Sequence, residues 1–363
     1  MRIEANPGSP LKGLQIMAVA TRHTLSTTDD PFQYCYDKGW TDGLPVVPPT
    51  QERVDSMLTG TKLDRSAVVA RIPPGWGTAT VEKIAVNCVM AGCLPEHMPV
   101  VIAAVKAMTD PALNLNGMQC STHLSTPLVV VNGPARLALG MNSGSNVFGQ
   151  GNRANATIGR AVKLILTNIG RAIPGVTDKA TLGHPGKYTY CIAENEEQSP
   201  WDPLHVERGF AREQSTVTVF GCEAPHNVNN QASQNAFDLA FTIADTMATL
   251  GNNMFYAQGE VMVVVCPSHA ETIARDGWSK QHFKEYLYEK ARKPVRLVKL
   301  GGLYGREVKR NFWPRWVNRD DDDEMVPLVR RASEITVVVA GGTGRHSAFL
   351  PGWATPSVTV AVE

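Results

Sequence analysis

The chain lacks the features that mark several large classes of protein. Its apolar runs stay shorter than the roughly 18 residues that a membrane-spanning helix needs, and it does not open with the charged start and apolar core of a signal peptide. Lysine and arginine number 35 against 34 aspartate and glutamate, a net charge of +1. Nucleic-acid-binding surfaces usually carry a basic excess. We therefore expect no membrane and no nucleic-acid partner.

Cysteine is too scattered for a disulfide framework. The seven cysteines form no Cys-x-x-Cys pair, so a structural zinc knuckle is not expected either. Reduced thiols together with the missing signal predict a cytoplasmic protein. Nucleotide-binding motifs are also missing, because no Gly-Lys-Ser/Thr follows a glycine-rich turn and the Gly-x-Gly-x-x-Gly fingerprint is absent. No nucleotide cofactor is therefore expected.

The chain does contain an alternation of strand and helix patterns. Thr80 can cap a helix through Ala91, with Gly92 as its stop. A second helix is expected from Arg153 to Ile169, where apolar residues recur at helical spacing. In the second half, β-branched runs alternate with amphipathic helices. This order predicts an α/β fold with mostly parallel sheets and flanking helices.

The polar, proline-containing stretch from Glu194 to Pro203 marks a predicted boundary. It divides the chain into two α/β lobes, residues 31–199 and 200–363, after an irregular arm at residues 1–30. A length of 363 residues suits two such lobes. We also expect the protein to form a homo-oligomer.

Three β-branched runs in the second half each end at a turn that carries a histidine, namely His226, His269 and His346. If the runs are neighbours in one parallel sheet, their carboxyl ends share the edge where open α/β sheets keep their sites. Histidine transfers protons near neutral pH and is a common metal ligand. The pattern predicts a site in which the imidazoles act as acid, base or ligands of a divalent metal. The alternative is that each bonds its own loop.

Cys93 is the best candidate for a nucleophile. It follows the helix that ends at Gly92 and precedes Pro95, where the next helix can begin. The partial positive charge at a helix N-terminus favours a thiolate, and His97 could assist. The alternative is that Cys93 packs between two helices. Cys88 belongs to the apolar stripe of the preceding helix and is expected to be structural.

Two glycine-rich turns could hold an anionic group. The first contains Gly151 and leads into a helix at Asn152 and Arg153, so backbone amides and a guanidinium could bind a carboxylate or phosphate. The second contains Gly342 and Gly344 and follows a strand. Ordinary turn formation is the alternative for both.

Four segments together resemble a family of bacterial proteins associated with small proteins that carry a Sec/Cys-Gly-Ser-Cys motif. The resemblance covers about residues 35–350 and implies a small thiol protein or selenoprotein as a partner. Those small proteins are distantly similar to the selenocysteine subunits of glycine-type reductases, which implies redox chemistry. This chain lacks the Gly-Ser-Cys motif, so the resemblance assigns no catalytic residue. The segments are Trp40–Pro49, Ala91–Glu96, Gly149–Ala161 and Pro200–Gly209.

These residues predict a small-molecule enzyme of lyase or hydrolase type that acts at a carbon–heteroatom bond of an anionic substrate. The strand-end histidines would supply acid–base catalysis or bind a metal, and any other cofactor is unknown. Two alternatives stay open: a thiol-dependent redox component that uses Cys93 with a partner protein, and a non-catalytic subunit.

Overall fold

The computed structural model describes residues 20–257, 259–301, 309 and 313–363. The predicted arm at residues 1–30 falls partly outside this range, and its described part, residues 20–30, contains no helix or strand. Within the described residues, no helix is both long enough and apolar enough to cross a membrane.

The helices of the described residues range from single turns to the sixteen residues of α7. In chain order they are α1 (Pro31–Asp37), α2 (Gln51–Leu58), α3 (Val81–Ala91), α4 (Met98–Met108), α5 (Leu115–Cys120), α6 (Pro134–Ala138), α7 (Arg153–Asn168), α8 (Leu204–Glu207), α9 (Ala236–Met247), α10 (Met254–Ala257), α11 (Pro267–Arg275), α12 (Lys280–Lys290) and α13 (Val295–Val298).

The strands are short, with at most seven residues each. In chain order they are β1 (Val68–Ile72), β2 (Gly77–Thr80), β3 (Thr126–Asn132), β4 (Cys191–Ala193), β5 (Thr216–Cys222), β6 (His226–Asn229), β7 (Val261–Val265), β8 (Arg292–Pro294), β9 (Met325–Pro327), β10 (Ile335–Val339), β11 (His346–Leu350) and β12 (Val358–Ala361).

These strands form two four-stranded sheets and two small two-stranded ones. The first large sheet has the order β12-β5-β3-β4 and the second has the order β10-β7-β11-β6. In the first, β3 pairs parallel with β4 and antiparallel with β5. In the second, β7 pairs parallel with β10 and antiparallel with β11. Both large sheets are therefore mixed.

The two large sheets pack face to face, with helices on their outer sides. In the first sheet, Val129 belongs to an apolar core shared with α3, α4 and α7, whereas Leu128 belongs to a core shared with the second sheet. In the second sheet, Val263 packs among residues of α9, α11 and α12, whereas Met262 joins the core between the sheets. Because successive strand residues point to opposite faces, the layers run helix, sheet, sheet, helix.

The α/β class is confirmed, but the sheets are less parallel than the alternation of patterns predicted. Two of the eight pairings between described strands are parallel. The alternation sets the order of elements along the chain, whereas pairing depends on hydrogen bonds between strands far apart in sequence. The short strands β6, β11 and β12 contribute three antiparallel pairings.

Strands of the first large sheet come from both sides of the boundary predicted near Glu194 to Pro203. β3 and β4 precede that stretch, whereas β5 and β12 follow it. The second large sheet is built entirely from the chain after it. Backbone bonding also links the two regions, because the N–H of Asn195 donates to the carbonyl of Val339 at 2.8 Å.

Local sequence explains the ends of the helices around the candidate site. The Thr80 side chain accepts a hydrogen bond from the N–H of Lys83 at the start of α3, and α3 ends at Gly92 with a φ of +91°. Glycine suits this left-handed position because it has no Cβ. The Asn152 side chain caps α7 by accepting from the N–H of Asn155. The predicted helix, capped by Thr80, running through Ala91 and stopped by Gly92, is confirmed.

Candidate functional site

A cleft beside α7 combines a sizeable cavity with a buried amine. Its volume is about 550 Å³, which lies within the range of small-molecule sites. α7 contributes Lys163, the start of β3 contributes Thr126, and Asp42 comes from the loop before α2. Residues between 172 and 188 close the other side.

The amine of Lys163 is held without a carboxylate partner among the described residues. The side chain lies inside the fold, with 5% of the residue exposed. Nζ donates to Oγ1 of Thr126 at 2.9 Å and to the carbonyl oxygen of Pro127. Burial disfavours the charged form and lowers the pKa of Lys163 to about 7. Burial therefore favours the neutral amine near pH 7.

A neutral amine in this position has the chemistry of a nucleophile. Its two N–H groups match the two acceptors, the Thr126 hydroxyl and the Pro127 carbonyl. The nitrogen lone pair is then not needed for any of these bonds. Buried lysines of lowered pKa serve as bases and as Schiff-base nucleophiles in enzymes.

His184 lies in the same cleft as a neutral imidazole. Burial, together with the charges of Lys163 and Lys187, lowers its pKa to about 4 against the opposing effect of the Cys222 carbonyl. Nδ1 accepts a hydrogen bond from the N–H of Gly186 at 3.1 Å. The neutral ring therefore carries its proton on Nε2, which makes His184 a hydrogen-bond donor at neutral pH.

The remaining charges that line the cleft are paired. Lys187 Nζ contacts the Asp178 carboxylate at 2.6 Å. The carboxylate of Asp42 accepts two hydrogen bonds from Arg160, each at 2.8 Å. Lys163 is thus the charged residue of the cleft lining that has no ion-pair partner among the described residues.

Three of the four segments that resemble the bacterial family meet on α7. Arg160 of α7 bonds Asp42 in the segment Trp40–Pro49. Arg153 of α7 donates to the carbonyl of Gly92 from Nε at 3.1 Å and from Nη2 at 3.0 Å. The first half of α7 therefore joins these segments, and its Arg160 contact reaches the cleft at Asp42.

Cys93 lies in the junction between α3 and α4, and its side chain packs against the N-terminal half of α7. Its Sγ is 3.3 Å from the carbonyl oxygen of Thr157, and 6% of the residue is exposed. Burial raises the pKa of the Cys93 thiol, but hydrogen bonding from Cys88, His97 and Thr157 outweighs burial and holds the pKa below its ordinary value. Cys93 is thus both packed between helices and poised to ionise. A redox role with a partner protein stays a prediction.

The structure gives Asn152 and Arg153 partners within the chain. Asn152 caps α7 with its Oδ1 and donates from Nδ2 to the carbonyl of Gly140 at 2.7 Å. Arg153 donates two hydrogen bonds to the carbonyl oxygen of Gly92. Both side chains join loops to α7, and anion binding at Gly151, Asn152 and Arg153 stays a prediction.

The two glycine-rich turns lie against each other. The N–H of Gly341 donates to the carbonyl of Ser143 at 2.9 Å, and a Cβ on Gly342 would collide with Ser145. The carbonyl of Gly344 accepts a hydrogen bond from Gln231 at 3.1 Å. Gly342 therefore has a packing role, and anion binding by this turn stays a prediction.

The expectation that the three histidine-bearing strands are neighbours in one parallel sheet is wrong for the first of them. β7 and β10 are parallel neighbours, but β5 lies in the other large sheet and pairs antiparallel with β3. The chain then crosses between the sheets, so that His226 opens β6 rather than ending β5 at a shared edge.

The three imidazoles do not converge. His226 and His346 lie on paired strands, where His226 faces Phe349 and His346 faces Asn229. Three residues separate them along the ladder, which corresponds to about 10 Å and opposite faces of the sheet. Both are exposed. His269 is buried in α11, with Nδ1 2.7 Å from the Ser347 hydroxyl and Nε2 3.1 Å from the Asn230 carbonyl.

The predicted three-histidine metal centre is not formed. Within the ranges that the structure describes, no group of three histidine, cysteine, aspartate or glutamate residues is arranged to hold a metal ion. The reason is the sheet topology, which places the three histidine-bearing turns apart although their sequences look alike.

Sequence reasoning missed Lys163 and His184. A signal for Lys163 was present, because it is the one charged residue in the apolar run from Ala161 to Leu166. Charged residues are almost never fully buried unless they are paired, so a lysine inside such a run is worth attention. His184 stands in a polar Gly-His-Pro-Gly turn and gave no comparable signal.

Comparison with models of known protein families and with curated proteins finds no match for this chain. The resemblance to the bacterial family therefore stays a prediction, as do the homo-oligomer and the small thiol or selenoprotein partner.

Proposed function

We propose that this protein is a small-molecule enzyme of the lyase type that forms a Schiff base between Lys163 and a carbonyl substrate. The observation that carries this proposal is the Lys163 amine, which lines a cavity of about 550 Å³ and pairs with no described carboxylate. Lys284 offers a contrast. It is equally buried, but its Nζ contacts the Glu207 carboxylate at 2.6 Å.

The reaction begins when the neutral amine attacks the carbonyl carbon. A carbon–nitrogen bond forms, and the carbonyl oxygen leaves as water with the two amine protons. We assign the carbonyl oxygen to Nε2–H of His184, because Nδ1 already accepts from Gly186. In this step the Nε2–H turns from the Cys222 carbonyl, which lies beside the ring, to the substrate. A donor aimed at an oxygen that gains negative charge is the common way in which proteins promote such additions.

Cleavage follows from the electron demand of the imine. The protonated imine draws electrons from the adjacent carbon, which loses a proton more readily. That proton passes through water to a heteroatom group on the next carbon. The electron pair left behind forms a carbon–carbon double bond, and the heteroatom group leaves in its protonated form. Water then hydrolyses the imine, releases the product and restores the amine. This sequence breaks the carbon–heteroatom bond expected from the sequence, with Lys163 in place of the histidines.

Reductive trapping tests the proposal directly. The full chain is incubated near pH 7 with pyruvate, glyoxylate or acetaldehyde in the presence of cyanoborohydride, which converts a Schiff base into a stable amine. Trypsin does not cleave at an alkylated lysine, so modification of Lys163 yields the peptide from 161 to 171. We expect this peptide to become the main labelled one. Anionic and neutral probes show whether the cleft prefers a negative charge.

Lys163→Arg should lose the label, because guanidinium does not form a Schiff base. The matched control is Lys284→Arg, which changes a buried but paired lysine and should leave labelling at Lys163 intact. Labelling confined to exposed lysines, with peptide 161–171 unmodified, would overturn the proposal.

A further inference from the structure

Cys88 and Cys93 are brought together by the way in which α3 ends. The N–H of Gly92 donates to the carbonyl of Val89, and the N–H of Cys93 donates to the carbonyl of Cys88, both at 2.9 Å. These two bonds, with Gly92 in the left-handed region, define a Schellman motif, in which the residues at the two ends of the longer bond contact each other. Here both residues are cysteines.

The backbone bond between the two cysteines also meets the main requirement of a disulfide. A bridge needs Cα atoms roughly 4.4–6.8 Å apart. The 2.9 Å bond from the Cys93 N–H to the Cys88 carbonyl holds the two residues side by side, and their thiols lie close enough to interact. Both cysteines are free thiols, and each perturbs the ionisation of the other.

The two thiols differ in their surroundings. Cys88 is fully buried, and burial raises its pKa well above the ordinary value. Cys93 lies near His97, whose Nδ1 is 3.2 Å from the N–H of Leu94 and 3.3 Å from the Thr157 hydroxyl. The Cys93 thiol donates to the Thr157 carbonyl, but the side chains of Cys88, His97 and Thr157 favour its thiolate. Cys88, in contrast, keeps its proton. One attacking thiolate beside one resolving thiol is the arrangement of redox-sensitive cysteines.

We propose that Cys88 and Cys93 form a redox site that hydrogen peroxide converts into an intramolecular disulfide. The Cys93 thiolate attacks one peroxide oxygen, the O–O bond breaks, and the departing hydroxide takes up a proton to become water. The resulting sulfenic acid on Cys93 is attacked by the sulfur of Cys88. The S–S bond forms, and the sulfenic hydroxyl leaves with the Cys88 proton as a second water. Two thiols are oxidised by two electrons, and one peroxide is reduced to two waters.

A small oxidant is required because Cys93 is 6% exposed. Cys191, which is also buried and whose pKa is raised by burial and by Cys93, is the competing partner. It lies on β4 in the same apolar core as Cys93 but shares no turn with it, whereas the Schellman motif holds Cys88 in place.

Peptide mapping of the full chain shows whether Cys93 forms its disulfide with Cys88 or with Cys191. Trypsin cuts after Lys83 and Lys106, so one peptide, residues 84–106, contains Cys88 and Cys93 and no other cysteine. After peroxide treatment and alkylation in denaturant, we expect this peptide to lose two hydrogens and both alkylation sites. A cross-link to the Cys191 peptide, or a stable oxyacid on Cys93 with Cys88 still alkylated, would overturn the proposal.

Variants add an independent readout. In Cys88→Ser the sulfenic acid has no resolving thiol, so dimedone should trap it on Cys93, whereas the native chain should show little adduct. Cys93→Ser should abolish both disulfide and adduct. The control is Cys35→Ser, a buried cysteine on α1, which should behave as the native chain. If either serine variant fails to fold, mapping of the native chain alone still decides between the outcomes.

Discussion

The guanidinium of Arg160 donates two parallel hydrogen bonds to the carboxylate of Asp42, each 2.8 Å long. Arg160 Nη2 also donates to the carbonyl of Pro45 at 2.9 Å. One side chain of α7 thereby fastens the extended segment that follows α1, and Asp42 itself lines the cleft. The pair thus builds one wall of the site as well as stabilising the fold.

Asp42→Ala should lower the free energy of unfolding by about 2 kcal/mol, since it leaves a half-buried guanidinium without its bidentate partner. Urea denaturation measures the change. The comparison is Arg212→Ala, which breaks an exposed pair with Asp202 and should cost less than about 1 kcal/mol. Equal losses in the two variants would show that the Asp42 pair is an ordinary surface contact.

Lys163 should make the stability of the chain depend on pH above neutrality. Its pKa is about 7 in the folded chain against an ordinary value of 10.5, so between these values the unfolded chain binds the extra proton. The free energy of unfolding then rises with pH by up to about 1.4 kcal/mol per unit over this window. Urea midpoints from pH 7 to 10 should show a steeper rise for the native chain than for Lys163→Met. Lys106→Met, which removes an exposed lysine, should keep the native slope.

His269 should make the stability of the chain depend on pH below neutrality. Burial lowers the pKa of His269 to about 4, against an ordinary value of 6.5. As pH falls from about 6.5 to 4, the unfolded chain therefore binds a proton that the folded chain does not bind. Stability is therefore present above pH 6.5 and is lost through this window. His269→Gln should flatten part of the decline in thermal midpoint between pH 7 and 4.5. His346→Gln, on an exposed histidine, should not. An unchanged decline in His269→Gln would contradict the role assigned to burial.

Gly342→Ala should destabilise the chain by about 1–3 kcal/mol, because the added methyl collides with Ser145. Removal of the obstructing side chain in Gly342→Ala/Ser145→Gly should recover part of the loss, as measured by urea denaturation. Thr343→Ala is the control, since Thr343 is exposed. No recovery in the double variant would place the strain in the backbone of the turn instead.

Much of the local structure could be predicted from the residues. Thr80 and Gly92 delimit α3, and the spacing of apolar residues predicted α7, because capping and helical periodicity act within a few residues of each other. The sequence also pointed to Cys93 at a helix junction. It predicted only a structural role for Cys88, because an apolar stripe shows which face of a helix is buried. The stripe does not show which residues the last turn of the helix contacts.

By itself the sequence determined the α/β class, the main helices and the buried strands, all of which depend on local propensity and burial. The tertiary structure alone decided which strands pair, and it separated His226, His269 and His346 although their turns look alike. It also determined which residues form the candidate site. Lys163 becomes a buried amine without a carboxylate partner in the described chain only where α7, the start of β3 and the segment 172–188 meet. Such a meeting of distant segments depends on the packing of whole layers, which no local pattern encodes.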